Sequence, residues 1–168
     1  MRRLAFFSLV LLLALMGKAF AQNAEELHGL THVGLAVEDL DEDAKRCGIT
    51  KDLIRDSVAY TMSASKLKLS EDDWSAPLIY IRASAMVQRN PVQCISDVSV
   101  ELMNMQKVQL NYMNGPPRFV TIQLWHDDWL EVSQPERHAE QVRRAVENAT
   151  TKKFVAAWSR ANAANLAP

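Results

Sequence analysis

Residues 94–125, CISDVSVELMNMQKVQLNYMNGPPRFVTIQLW, decide the fold. In the first half Val98, Val100 and Leu102 alternate with Ser99, Glu101, Met103 and Met105, the period-two pattern of a strand with two unlike faces. Asn114-Gly115-Pro116-Pro117 then breaks the alternation with the strongest turn signal in the chain, since glycine accepts positive φ and proline cannot donate to a ladder. Beyond the turn the pattern resumes, with Val120, Ile122 and Leu124 on one face against Phe119, Thr121, Gln123 and Trp125 on the other. Two alternating runs about such a turn predict an antiparallel hairpin.

Upstream of the hairpin, Pro77 introduces a strand from Leu78 to about Met86, which the Arg89-Asn90-Pro91 turn joins to Cys94. A shorter strand is expected where Leu67 and Leu69 alternate with lysines. The first strand is expected where Val33, Leu35 and Val37 alternate with Gly34, Ala36 and Glu38. Thr50 is a good N-cap, and with Asp52 in the first turn it predicts a helix to about Ser63, with Leu53, Ile54, Val58 and Met62 inward. Downstream, Ser133-x-x-Glu136 reads as a capping box with Pro135 in the first turn. It would open a terminal helix with Val142, Val146, Ala149, Phe154, Ala157 and Trp158 on its apolar stripe.

The resulting order, β-α-β-β-β-β-α, predicts an α+β two-layer sandwich with a mostly antiparallel sheet of four to five strands and two helices. Two helices suffice to cover one face of such a sheet. The other face is then expected to be open, and function is to be sought there.

At the N-terminus, Met1-Arg2-Arg3 precedes a largely apolar run from Leu4 to Met16, and Ala19-Phe20-Ala21 stands before Gln22. A basic start, a short apolar stretch and a small-x-small site are the three parts of a cleavable signal peptide, so residues 1–21 are read as signal and 22–168 as a single globular α+β domain. As a helix the apolar run would rise only about 20 Å, short of the roughly 30 Å bilayer core, so no stable membrane insertion is expected after cleavage. Gln22 also stands where a lipoprotein needs its cysteine.

Of the 19 Lys and Arg, the signal takes Arg2, Arg3 and Lys18, leaving 16 against 20 acidic residues. No basic stripe remains to release phosphate counterions, which argues against nucleic acid as a partner. The two cysteines, Cys47 and Cys94, are expected to pair as a disulfide in an exported chain; neither belongs to a C-x-x-C motif.

Chemistry-bearing residues are densest in Leu124-Trp125-His126-Asp127-Asp128-Trp129. Strand alternation puts His126 and Asp128 on one side and Asp127 with both tryptophans on the other, so the three polar groups cannot all converge from a regular strand. A metal site at His126 and Asp128 would have to recruit His28, His32 or His138. His28 and His32 have i, i+4 spacing, but Gly29 lies between them, and His138 reads as a solvated histidine on a charged helix face. Asp39, Asp41 and Asp43 invite a calcium reading, yet the glycine and distal glutamate of a calcium loop are missing, so a solvated turn is the better reading. Met103 and Met105 beside His126 would suit Cu(I), but methionine more often fills an interface. No nucleophile elbow is present, no catalytic residue emerges and no cofactor is implied.

The fold-forming pieces Val33-Gly34-Leu35-Ala36-Val37-Glu38, Cys47-Gly48-Ile49-Thr50 with Leu53-Ile54-Arg55, Pro77-Leu78-Ile79-Tyr80-Ile81 and Ser99-Val100-Glu101-Leu102 resemble a broad group of small exported bacterial α+β domains. The group has no assigned activity, so the resemblance implies a fold and a compartment and transfers no functional residue. The element order is also similar to small α/β modules of periplasmic envelope-assembly proteins, as a likeness of fold only.

The expectation is therefore a periplasmic or secreted binding or assembly module, more simply non-enzymatic, whose partner is another envelope protein or a second copy of itself. Met103, Met105, Phe119 and Trp125 on the open face, or an exposed strand edge, would make the contact. The alternative is a small-ligand or metal-handling protein, with hydrolysis as one such activity, centred on His126, Asp127 and Asp128.

Overall fold

The computed structural model describes residues 24–71, 73–112 and 115–166. The proposed signal peptide therefore lies outside the described residues. Five strands, β1 (His32–Val37), β2 (Lys68–Glu71), β3 (Leu78–Arg89), β4 (Val92–Val108) and β5 (Arg118–Ser133), form one sheet in the order β2-β1-β3-β4-β5. β1 runs parallel to β2 and β3, whereas the long pairings β3–β4 and β4–β5 are antiparallel. The architecture is thus the expected α+β sandwich with a mostly antiparallel sheet.

On one side of the sheet lie α1 (Glu42–Arg46), α2 (Lys51–Met62) and α3 (Pro135–Glu147), the last continuing through a π-helical segment (Asn148–Val155) into α4 (Ala156–Ala161) and α5 (Ala163–Leu166). Thr50 caps α2 as its type predicts, its Oγ1 accepting from the Leu53 N–H at 3.1 Å. The core lies between this layer and the inward sheet face: Val33, Leu35, Ile79, Ile81, Val98, Val100 and Leu102 meet Ile54, Val58, Val142, Val146 and Phe154. All six residues of the expected terminal stripe are buried, but not on one regular α-helix. The step from Ala149 to Phe154 is five residues, which a 3.6-residue turn would rotate off the stripe. An i→i+5 turn returns Phe154 to the core, which gives the π segment its packing role.

The chain before β1 is held by the terminal helix. Asn162 accepts from the Gly29 N–H at 2.8 Å and donates to the Leu27 carbonyl at 2.9 Å, while Trp158 Nε1 donates to the Leu30 carbonyl. Leu27 is buried beneath these contacts.

The acidic turn is largely exposed, as expected, but its carboxylates make defined contacts. Asp41 caps α1 by accepting from the Ala44 N–H, and its other oxygen accepts from the Ala85 N–H at 3.0 Å. Asp43 pairs with Arg46 and accepts from the Val87 N–H, and Asp39 accepts from Lys51, which holds its carboxyl below the usual range. These carboxylates thus organise a helix and cover the part of β3 that runs past the end of β1. Cys47, which follows α1, is disulfide-bonded to Cys94 on β4.

The terminal helix also starts differently. Ser133 is the last residue of β5 and Gln134 is the N-cap, with no side-chain bond of its own. Ser133 Oγ instead lies 2.8 Å from His138 Nδ1, and Ser96 Oγ lies 2.6 Å from His138 Nε2. His138 is therefore not a solvated surface residue; it is fully buried, and burial pushes its pKa down. With one ring nitrogen donating and the other accepting, a neutral imidazole can satisfy both contacts.

Candidate interaction surface

The register of β4 on β5 determines what each sheet face presents. From Val108↔Arg118 to Met103↔Gln123 the two strands pair regularly, and pairing resumes at Leu102↔Trp125, so Leu124 is one residue in excess. That β-bulge reverses the alternation of β5. Val120 and Ile122 face the helix side before it; Leu124 packs against the core at the bulge, and Trp125, Asp127 and Trp129 face the helix side after it.

Trp125 accordingly leaves the set of expected face anchors. It is only 4 % exposed and its ring sits 5.3 Å from that of Phe154, tilted by 58°. Unbroken alternation from Phe119 would have placed it on the other face. The local pattern does not mark the phase change, since adjacent large apolar residues such as Phe119-Val120 also stand where β5 pairs regularly.

The other three anchors, Met103, Met105 and Phe119, do lie on the face away from the helices, opposite Gln123, Thr121 and Lys107. Met105 and Phe119 are exposed, the latter by 77 %, and Met103 is partly buried. At the opposite end of this face the row Met86↔Ile95↔Val132 crosses three strands, with Leu130 beside it opposite Asp97. Leu130 is 66 % exposed, and Met86 and Val132 are exposed as well. The sequence carried a signal for this second cluster in the repeat Leu130-x-Val132, out of phase with Trp125 and Trp129.

Between the two apolar ends runs a polar belt. Glu101 accepts from Gln123 Nε2 at 2.9 Å and lies within reach of Arg82 and Ser99, while His126 and Asp128 stand opposite Glu101 and Ser99 on β5. Tyr80 borders the belt, and its phenol pKa is pushed up by burial first and by the Glu38 carboxylate second. Among the described residues, only the β1 end of the face is covered: an added Cβ at Gly34 would meet the Asp73 carbonyl oxygen at 2.3 Å, so the segment before β3 rests directly on this glycine. Over β3, β4 and β5 the side chains of Arg82, Ser84, Met86, Asp97, Met105, Phe119, Thr121, Gln123, His126, Asp128, Leu130 and Val132 are all exposed.

The cluster considered for metal or acid–base chemistry is divided by the sheet. His126 and Asp128 are on the open face, and Asp127 is on the helix side, where both its oxygens accept from Lys153 Nζ at 2.6 and 2.7 Å. Among the described residues no three His, Cys, Asp or Glu side chains gather closely enough to hold a metal ion. His28 and His32 do not share a helix, since His28 follows a 3₁₀ turn (Ala24–Leu27) and His32 begins β1. A shallow depression beside α1 is lined by Asp39, Leu40, Lys45, Ile49, Thr50 and Lys51, but the ammonium groups of Lys51 and Lys45 already pair with Asp39 and Glu42.

No model of a known protein family matches the chain, and neither does any curated protein. The uncovered three-strand face and the free edge of β5 are therefore the features from which function has to be argued.

Proposed function

We propose that the protein is an exported, periplasmic binding module that engages another protein of the cell envelope through the open face of β3, β4 and β5. The observation carrying this reading is the breadth of that face: apolar side chains at both ends, Met105 with Phe119 and Met86 with Leu130 and Val132, flank a belt of hydrogen-bonding groups. Apolar anchors among hydrogen-bonding polar groups are the composition of a recognition patch. The Cys47–Cys94 disulfide is compatible with export, and no described helix is long and apolar enough to cross a membrane. The signal-like pattern of residues 1–21 supplies the route.

Two measurements test the reading. Cell fractionation with N-terminal sequencing is expected to find the chain in the periplasm, beginning at Gln22. Met105→Asp and Phe119→Asp are expected to abolish co-purification of an envelope protein while leaving the circular dichroism melt nearly unchanged, because both side chains are exposed. Capture that survives both substitutions would remove the face from the proposal.

A further inference from the structure

The sheet treats its exposed edges unequally. β2 closes one side with only the four residues Lys68–Glu71, and the overhanging half of β3 has its Ala85 and Val87 N–H groups engaged by Asp41 and Asp43. β5, by contrast, is 16 residues long and, among the described residues, has a strand neighbour, β4, on one side only. Long unpaired edges are templates for another strand, and short strands or covering carboxylates are the usual ways of blunting them. That protection is present at the other edges.

We propose that the occupant of this edge is β5 of a second copy, paired antiparallel about a two-fold axis at the Leu124 bulge to give a continuous ten-stranded sheet. This rests on the reading of the protein as a binding module and adds a partner and a register. Opposed residues in an antiparallel pair must point to the same face, and the bulge reverses the phase of β5 midway, so only a register centred there keeps the faces matched along both halves. Pairing Leu124 with Trp125 of the second copy satisfies this, since both face the helix side. It places Phe119 opposite Leu130, two of the most exposed apolar side chains, on the open face. It also sets Thr121 opposite Asp128 and Gln123 opposite His126 there, as donor–acceptor pairs. On the helix side Arg118 falls opposite Glu131, which by symmetry occurs twice, and no like charges are opposed. The two open faces then become one.

Sedimentation velocity of the mature, disulfide-bonded chain over a concentration series tests this, and needs no envelope partner. A concentration-dependent dimer is expected. Arg118→Glu and Glu131→Arg, each turning both cross-strand pairs repulsive, should each weaken it by about 10- to 30-fold. The double variant Arg118→Glu/Glu131→Arg, in which attraction is restored with the sense reversed, should recover the dimer. A chain monomeric at every soluble concentration overturns the proposal, as does a dimer indifferent to the single reversals or one that the double variant fails to rescue. Thermal melts of all variants guard against misfolding. Envelope capture by Met86→Asp, which alters the face on β3 away from the β5 edge, is measured separately. A monomer whose capture is lost on Met86→Asp refutes the self-pairing and leaves the face reading standing.

Discussion

Replacing Trp125 by alanine distinguishes the bulged strand from an unbroken one. Were β5 regular, Trp125 would stand in solvent on the same face as Phe119 and its truncation would change stability by no more than about 0.5 kcal/mol. With the bulge it is 4 % exposed and stacked at an angle on Phe154. A tryptophan side chain buries roughly 150–250 Å², worth about 4–6 kcal/mol at 25 cal/mol/Å², and partial collapse of the surroundings lowers the observed cost to about 3–5 kcal/mol. In a chain of this size each kcal/mol displaces the melting midpoint by about 2–4 °C, so Trp125→Ala is expected to melt roughly 6–20 °C lower. Phe119→Ala, 77 % exposed on the same strand, serves as the control and should stay within about 0.5 kcal/mol of the parent. Urea unfolding followed by far-ultraviolet circular dichroism measures both, and near-ultraviolet dichroism reports whether the aromatic packing around Phe154 is lost. Equal stability of the two variants would refute the bulged register.

Three further outcomes follow from the core. His138 is buried with its pKa lowered, so the unfolded chain takes up the proton first: the stability it contributes is complete above the unfolded value of 6.5 and is lost as pH falls from there towards the folded value. Melting midpoints between pH 7.5 and 5.5 should therefore fall in the parent and lose that slope in His138→Gln, a window clear of Glu140, whose carboxyl Arg143 and Arg144 hold down at about 2. Substituting Cys47 and Cys94 together by alanine opens a closure of 47 residues and should cost about 4 kcal/mol in urea unfolding, with the same loss in the parent after reduction. Gly34→Val would drive a side chain into the Asp73 carbonyl and the Leu78 side chain; a loss of about 1–3 kcal/mol is expected, and proteolysis should accelerate in the segment before β3.

The parts of the fold legible in the sequence are those set by short-range periodicity. Val98-x-Val100-x-Leu102 and the Thr50 cap each depend on a few neighbouring residues, and the structure follows them. His138 was misread because its hydroxyl partners, Ser96 and Ser133, come from two other elements, and a charged neighbourhood in sequence says nothing of what packs above a ring. Asp41 and Asp43 do lie in a largely exposed turn, but their bonds to the Ala85 and Val87 N–H groups, about forty residues on, were not legible for the same reason. On the candidate surface, Met103 and Met105 were legible because β4 alternates throughout, and Phe119 because it precedes the bulge on β5, whereas Trp125 lies just past it and inherited the wrong phase.

That single extra residue bears on both halves of the molecule's behaviour. Without it, Trp125 would join the open face, Phe154 would lose its aromatic neighbour, and Leu130 and Val132 would turn towards the helices in place of Asp127 and Trp129. Leu130 and Val132 join Met86 at the far end of the open face only because the phase changes. A regular strand of the same composition would bury those side chains and expose the tryptophans, so the position of Leu124 sets at once what the core contains and what the sheet offers to a partner.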